Sequence, residues 1–456
     1  MGKAKEAYKT CGWSQRSPEA RATSLRAIAD LIETEADKLS ELESKDAGTP
    51  ITRARAINIM RSAENFRYFA SQIVSTDTQC VTKSTILPPG VKTRVLNYTE
   101  RSPCGVCVLI APWNLPLYLM TWKIAPCIAY GNVCVCKPSE LTSSSLVYLA
   151  RRIRDENILP PGVINVVLGK GPTVGAALCK SPLADAISFT GGTQAGRAVN
   201  MAAAANLTKC SLELGGKNVS IIMPSGMDLP ATIPTVCASA FSNSGQICLC
   251  GSRILAHASV YDTVVEKVIE EIGKSWQLGD TNAEETKIGS CISKMHARRV
   301  HSHVEDIVYA GGLIRTGGIY PPTLPFPTEN EDANEAYYHP TVITDIDHDF
   351  IKNREIFGPV VTIHKFDSEA QAIEMANASE YGLAGSVWTN NLSEGHRLAH
   401  NVVTGMIWVN CWMARDLNVP FGGCKNSGVG KEGGLYAARF FTNDKNVCVA
   451  YPGEPL

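Results

Sequence analysis

A carboxylate and a thiol stand out by position. Glu213-Leu214-Gly215-Gly216-Lys217 and Gly245-Gln246-Ile247-Cys248 place Cys248 35 positions after Glu213. Each lies in a glycine-containing turn of the kind that presents a side chain to a cleft. A thiol that attacks a carbonyl and a carboxylate that activates water are the two groups needed to oxidise an aldehyde through a covalent thioester. A thiol with an ordinary pKa of about 8.5 is only slightly ionised at neutral pH, so Cys248 requires a cation, a helix N-terminus or a donor nearby. By residue type alone it reads as one more buried cysteine among 16, and Glu213 as an ion-pair partner. Cys250 is taken as structural.

Other segments supply groups that such chemistry uses. Pro112-Trp113-Asn114-Leu115-Pro116 follows a strand-like run and precedes a helical one, so Asn114 falls at the carboxyl edge of a sheet, where α/β proteins bind ligands. A lone Asn there would otherwise be a helix cap. Leu115, Tyr118, Leu119 and Trp122 recur at i, i+3, i+4 and i+7, a single helical face that serves either as core or as the wall of a site. Lys137-Pro138-Ser139-Glu140 ends another strand. A carboxylate so placed can accept hydrogen bonds from a pair of neighbouring hydroxyls. Gly191 and Gly196 open a helix, and their N–H groups are expected to face a pyrophosphate. Their spacing differs from G-x-G-x-x-G and is weak by itself. Gly171 and Gly175 form a second glycine turn.

The elements that must position these residues follow from size and pattern. A chain of 456 residues exceeds what one hydrophobic core sustains, so two or more domains are expected. Apolar and charged fractions of 45% and 19% are those of an ordinary globular protein, and 43 Lys plus Arg against 44 Asp plus Glu exclude the electrostatic footprint of a nucleic-acid binder. Short apolar runs alternate with helical stretches: Val106–Ala111, Val133–Lys137, Val163–Leu168, Ala186–Phe189 and Val219–Met223, then Ser252–His257, Thr341–Thr344, Val360–Lys365, Ser386–Thr389 and Gly405–Val409. That alternation predicts an α/β fold with two parallel sheets. The uncharged run Gly105–Trp122 is broken by Pro112, Asn114 and Pro116 and does not read as a membrane span. Met1-Gly2-Lys3-Ala4-Lys5-Glu6 carries no apolar signal region, and cysteines within apolar runs read as free thiols, so a cytoplasmic location is expected.

Phe189-Thr190-Gly191-Gly192-Thr193, the Glu213 and Cys248 segments, Glu355-Ile356-Phe357-Gly358-Pro359 and Pro420-Phe421-Gly422-Gly423 together resemble the aldehyde dehydrogenase superfamily. The resemblance implies two Rossmann-like domains: an NAD-binding domain over 1–85 and 103–215, a catalytic domain over 216–425, and a β oligomerisation arm from 86–102 and 440–456. It further implies a homodimer or homotetramer. Cys248 would be the nucleophile, Glu213 the general base, and Asn114 with the Cys248 N–H the oxyanion hole. NAD would contact Ile110, Ala111, Trp113, Lys137, Ser139, Glu140, Gly171, Gly175, Phe189, Thr190, Gly191, Gly192, Leu214, Glu355 and Phe357. Leu115, Tyr118, Leu119 and Trp122 would line the substrate tunnel, and no metal is expected.

Asn65-Phe66-Arg67-Tyr68-Phe69-Ala70, the Cys248-Leu249-Cys250 run and Asn410-Cys411-Trp412-Met413-Ala414-Arg415-Asp416-Leu417 are similar to the 2-aminomuconic and 2-hydroxymuconic semialdehyde dehydrogenase subgroup. Arg61 and Arg415 are expected at the tunnel. A guanidinium in an apolar tunnel is costly unless a carboxylate meets it, so the implied substrate is a small aldehyde bearing an acid. The alternatives are a retinal or general aliphatic aldehyde dehydrogenase and, from another class, a truncated family member with a binding role. The last rests on two departures: helix begins near Lys3, where family members usually have further strands first, and Glu213 and Cys248 are one residue further apart than is common.

Overall fold

The structure, a computed structural model, describes residues 1–75, 79–88, 91–328 and 331–451. Val106–Ile110, Val133–Lys137 and Ala186–Thr190 are buried along their whole length. Such runs belong in a parallel sheet covered on both faces. They form the middle of a six-stranded sheet with spatial order Gly428–Val429, Lys209–Glu213, Ala186–Thr190, Val106–Ile110, Val133–Lys137, Ile164–Val166. Only Gly428–Val429 runs antiparallel. Strand order reverses between Val106–Ile110 and Ala186–Thr190, whose ends Ile110 and Phe189 are paired. Open α/β sheets bind ligands in the crevice at such a switch point.

The second sheet has seven strands, in the order Leu313–Thr316, Thr341–Thr344, Val360–Phe366, Arg253–His257, Val219–Ile222, Ala384–Trp388, Met406–Val409. The expected alternation holds for both sheets, with two corrections. Val219–Ile222 belongs to this second sheet and not to the first set. The strand that ends on Glu213 is Lys209–Glu213, whose Lys-Cys-Ser-Leu-Glu composition hides it from an apolar-run reading. Leu313–Thr316, by contrast an edge strand, is alternately exposed and equally lacks a continuous apolar run.

Helices Pro18–Thr34, Ala36–Ala47 and Met60–Gln72 pack with Pro116–Ala129 into one large apolar core. Trp13, fully buried, donates its Nε1–H to the Ile128 carbonyl at 3.0 Å. Cys80–Leu87, Val91–Pro103 and Thr442–Ala450 make a separate antiparallel sheet of three strands. No helix among the described residues is long and apolar enough to cross a membrane. The run Gly105–Trp122 is divided between a strand, a loop and the start of a helix.

Candidate active site

The sheet switch point opens into a cavity of about 320 Å³. Pro112, Trp113 and Asn114 enter it from the end of Val106–Ile110, and Thr190, Gly191 and Gly192 from the end of Ala186–Thr190. Leu119, Leu214, Gly215, Cys248, Glu355 and Phe357 complete the wall together with His296 and Arg299. The structure therefore brings together residues dispersed over more than half of the sequence. Ile110 and Ala111 lie buried behind this edge.

Cys248 ends a short loop built on unusual backbone. Asn243, Ser244 and Gly245 take φ values of 53°, 55° and 69°, a left-handed run that costs energy at the two non-glycine positions. Side chains hold it in place. Asn243 Nδ2 donates to the Asn114 carbonyl at 2.9 Å, Thr49 Oγ1 donates to Asn243 Oδ1 at 2.9 Å, and the Ile292 N–H donates to Gln246 Oε1 at 2.9 Å. A Cβ at Gly245 would lie 2.1 Å from the Gly358 carbonyl oxygen. Glycine is needed here for contact as well as for φ.

Asn114 is buried and donates one amide hydrogen to the Gln246 carbonyl at 2.9 Å. An amide NH₂ carries a second hydrogen, available to the cleft that Asn114 and Cys248 both line. Cys248 is half-buried. Burial, with Glu355, Glu213 and Cys250 adding to it, pushes its thiol far up, while its own backbone N–H acts in the opposite sense. Glu213 is buried, and neither carboxylate oxygen has a hydrogen-bond partner among the described residues. Burial first, then the charge of Glu432, holds Glu213 well above the usual carboxylate range, against the pull of Lys123 and Lys431. The Glu213 charge thus disfavours ionisation of the thiol, and Glu213, held basic, is suited to take a proton.

Two glycines do something other than expected. The Gly191 N–H donates to the Glu213 carbonyl at 3.0 Å, and the Gly196 N–H to the Gly192 carbonyl at 2.9 Å inside the helix Thr193–Ala204. Neither faces a ligand. A Cβ at Gly196 would meet Leu214 Cδ2 at 2.3 Å, so this glycine serves helix–sheet packing. The N-terminus of that helix is open instead. Gly192 caps it without a side chain, nothing lies within 4 Å of where its Cβ would be, and first-turn N–H groups there suit a phosphate. Lys137 is buried, donates to the Pro138 carbonyl at 2.9 Å and pairs with the more exposed Glu140 at 3.5 Å. Ser139 accepts from the Leu141 N–H at 3.2 Å. Gly171–Gly175 is a turn of π-helix, and Gly175 packs beside the Lys137 stem.

Another cavity, of about 310 Å³, is reached by the same loop at Leu249. Its wall includes Leu249, which follows the nucleophile candidate directly, and Met413, Arg415 and Phe421. The Arg415 guanidinium stacks on Trp122 at 4.1 Å and Phe421 at 4.5 Å and hydrogen-bonds Tyr118 Oη. Arg415 and Arg61 both lie over the Tyr118 ring, at 5.7 and 5.9 Å. Each keeps one buried guanidinium nitrogen without a partner among the described residues. Burial lowers both, Arg415 to about 9. Helix Pro116–Ala129 is buried on every side, so the stripe beginning at Leu115 has no distinct polar opposite: Leu119 reaches the first cavity, Tyr118 and Trp122 hold Arg415, and Leu115 packs in the core.

A family model for the aldehyde dehydrogenase family matches residues 1–447. The chain belongs to the aldehyde dehydrogenase family. It is 42% identical to the 2-aminomuconic semialdehyde dehydrogenase of Bos taurus over 96% of this chain and 88% of that protein. It is 39% identical to the 2-hydroxymuconic semialdehyde dehydrogenase of Pseudomonas sp. (strain CF600), over 96% and 88% of the two chains. A crystal structure of betaine aldehyde dehydrogenase from Staphylococcus aureus in complex with NAD⁺ superposes with a TM-score of 0.89 at 32% identity, covering 98% of this chain and 85% of that one.

Several residues of this aldehyde dehydrogenase escape sequence reasoning. Asn218 Nδ2 donates to the carbonyls of Cys248 at 2.7 Å and Cys250 at 2.9 Å, and so fixes the backbone on which the thiol rides. His296 stands edge-on to Trp113 and donates its Nε2–H to the Phe357 carbonyl at 2.8 Å, beside Arg299 at the cavity wall. Lys123, buried in the otherwise apolar helix, pairs with Glu432 at 2.7 Å. A single lysine within that apolar run is the one signal the sequence offered. The Gly216 N–H donates to Glu355 Oε1 at 2.9 Å, and a Cβ at Gly215 would strike the same carboxylate.

Proposed function

We propose that this enzyme oxidises a carboxylate-bearing semialdehyde to the dicarboxylic acid with NAD, through a thioester on Cys248. The observation that carries the reading is a pair of cavities lined by consecutive residues of one loop, Cys248 in the first and Leu249 in the second: a helix N-terminus at Gly192 opens on the first, and Arg415, with one unpartnered guanidinium nitrogen, lines the second. The first cavity would take the nicotinamide end of a dinucleotide, at Glu355 and Phe357, with the Gly192 helix end for pyrophosphate; Lys137, Ser139 and Glu140, which lie outside the cavity wall, would take the adenosine ribose. Ile110, Ala111, Trp113, Gly171, Gly175, Phe189, Thr190, Gly191 and Leu214 shape that cleft. Bound there, NAD supplies the acceptor for the hydrogen that the reacting carbon loses.

Cys248 Sγ forms a bond to the aldehyde carbon as its proton passes to base, and the carbonyl oxygen takes the negative charge. Asn114 Nδ2 and the Cys248 N–H donate to that oxygen, preorganised by the Gln246 and Asn243 contacts. After oxidation the carbon is a thioester. Glu213 removes a proton from water, water attacks the acyl carbon, and the Cys248 sulfur leaves. Arg61 and Arg415 hold the distant acid and fix which end of the substrate reaches the thiol. A homodimer or homotetramer in the cytoplasm is the accompanying assignment, supported by the outlying β arm and the free cysteines.

The test is NADH formation from purified protein with a six-carbon aldehyde acid and with retinal. A burst with the acid, absent in Cys248→Ala, and a fall of ten-fold or more in kcat/KM for the acid in Arg415→Ala are expected. Faster turnover of retinal, or unchanged rates in Arg415→Ala, would overturn the substrate assignment.

A further inference from the structure

Cys248 and Leu249 are the two central residues of a turn that the Cys250 N–H closes onto the Ile247 carbonyl at 3.0 Å. Side chains from two distant segments take the remaining carbonyls of that turn. Asn218 Nδ2 donates to those of Cys248 and Cys250, at 2.7 and 2.9 Å. The indole Nε1–H of Trp412 donates to that of Leu249 at 3.1 Å.

Trp412 comes from the loop that carries Arg415. Asn410 and Met413, on either side of it, take φ values of 58° and 60°. Methionine lacks the short polar side chain that eases a left-handed backbone, so its surroundings must impose the conformation, and such outliers gather where geometry matters to function. The loop is tied at its start by Asn410, whose side-chain amide exchanges hydrogen bonds of 2.9 and 2.7 Å with the Thr389 backbone, and further along by Trp408, whose Nε1–H donates to the Ala414 carbonyl at 2.7 Å. Arg415 follows, its guanidinium over the Trp122 and Phe421 rings. Leu249 and Arg415 line one cavity, and the Trp412–Leu249 hydrogen bond fastens the loops that carry them to each other.

A carbonyl turned away from solvent needs a donor, and a water molecule would serve. Water does not fix the distance between two loops. A nucleophile must meet its carbon at about 3–3.5 Å in a set direction, and a misplacement of about 1 Å costs on the order of 10²-fold in rate. Indole suits the task, with a single donor on a rigid ring that turns about only two bonds.

We propose that Trp412 is a positioning residue for Cys248. By holding the Leu249 carbonyl it sets the turn on which the thiol and its backbone N–H ride, and it does so from the Arg415 loop, so the nucleophile is placed relative to the far end of the substrate cleft. This rests on Cys248 as the nucleophile of the reading above, which fails separately, as first-turnover NADH still formed by Cys248→Ala.

Rapid mixing of the NAD-saturated protein with 6-oxohexanoate or with hexanal yields a first-turnover rate constant and an amplitude, the second counting competent sites. Trp412→Phe, which keeps an aromatic ring and loses the donor, should lower the rate constant about ten-fold or more for both aldehydes, with the amplitude and the KM for the acid held within about two-fold. Trp412→His, which retains a ring N–H, should recover part of the loss. A native rate constant with a reduced amplitude would mean that the indole serves packing alone, and a change confined to the KM of the acid would mean that it serves Arg415; either overturns the proposal. If Trp412→Phe does not fold, site-specific replacement of Trp412 by β-(3-benzothienyl)alanine, which preserves both rings and lacks only the N–H, decides: a native rate constant there overturns it.

Discussion

The environment of Glu213 decides the direction in which pH acts on turnover. Its carboxyl is held well above the ordinary range by burial and by Glu432. As a base it works only when ionised, so release of the acyl group should quicken as the solution becomes more alkaline. Glu432 is itself tied to Lys123 at 2.7 Å and to Ser188 Oγ at 3.2 Å. Glu432→Gln removes a negative charge beside Glu213 and leaves the Lys123 charge uncompensated, and both changes favour ionised Glu213. The pH of half-maximal kcat should therefore move to lower values, with a smaller plateau because the base is weaker. An unmoved or alkaline-shifted profile would show that Glu432 does not tune Glu213. Asn114 makes a contrasting case. Asn114→Ala deletes one oxyanion donor and also frees the Gln246 carbonyl, so kcat should fall by about 10²–10³-fold with the NAD dissociation constant little changed. Rates from single-turnover NADH formation, with cofactor binding followed by fluorescence, distinguish this from general unfolding.

Among the elements, the helix Pro116–Ala129 follows directly on the Asn114 segment that lines the Cys248 cavity, and its start is fixed by Glu43. That buried carboxyl accepts from the Leu117 N–H at 2.6 Å, Asn58 Nδ2 at 3.0 Å and Ser145 Oγ at 3.3 Å, so it joins three helical segments. Burial outweighs these hydrogen bonds and raises its pKa to about 7. The native state then holds the proton more tightly than the unfolded chain, so the stabilisation is full at low pH and declines as pH rises from about 4.5 to about 7. Glu43→Gln should flatten denaturant stability across that window, and Glu43→Ala should cost about 2–4 kcal/mol by orphaning three buried donors. Equal pH slopes in the native protein and Glu43→Gln would refute the linkage. Nothing in a single sequence marks Glu43, because its partners come from distant segments. The same limit hid Asn218. Apolar strands were legible because continuous burial demands continuous apolar residues, whereas Lys209–Glu213, polar at its start, was not. The segments that carry Cys248, Glu213 and Asn114 stand out in the sequence because glycines and prolines mark their turns. The Gly191 and Gly196 roles were misread because a glycine needed for packing looks the same as one needed for a ligand.

For the whole molecule the remaining question is what the β arm is for. Cys80–Leu87 forms an outer edge of its sheet, paired on one side only, with Val91–Pro103. Val81 is 60% exposed, Ile86 71% and Val449 45%. A strand edge with apolar side chains exposed around it invites pairing with another chain, and folded proteins otherwise cover or charge such an edge. A second copy of the chain is the natural cover, and a specific interface of this kind buries about 1,200–2,000 Å² in total. Sedimentation of the native protein should thus give at least a dimer. Val81→Lys combined with Ile86→Lys places charge at two positions that are already solvent-exposed in the single chain, so the fold of each subunit should be retained. Assembly should be lost, because two buried unpaired ammonium groups would each oppose association. The expected result is a shift to the monomer with near-native far-UV circular dichroism and a lower, concentration-independent Tm. A native protein that sediments as a monomer, or a doubly charged variant that still assembles, would remove the arm from the assembly and leave its exposed edge without a partner.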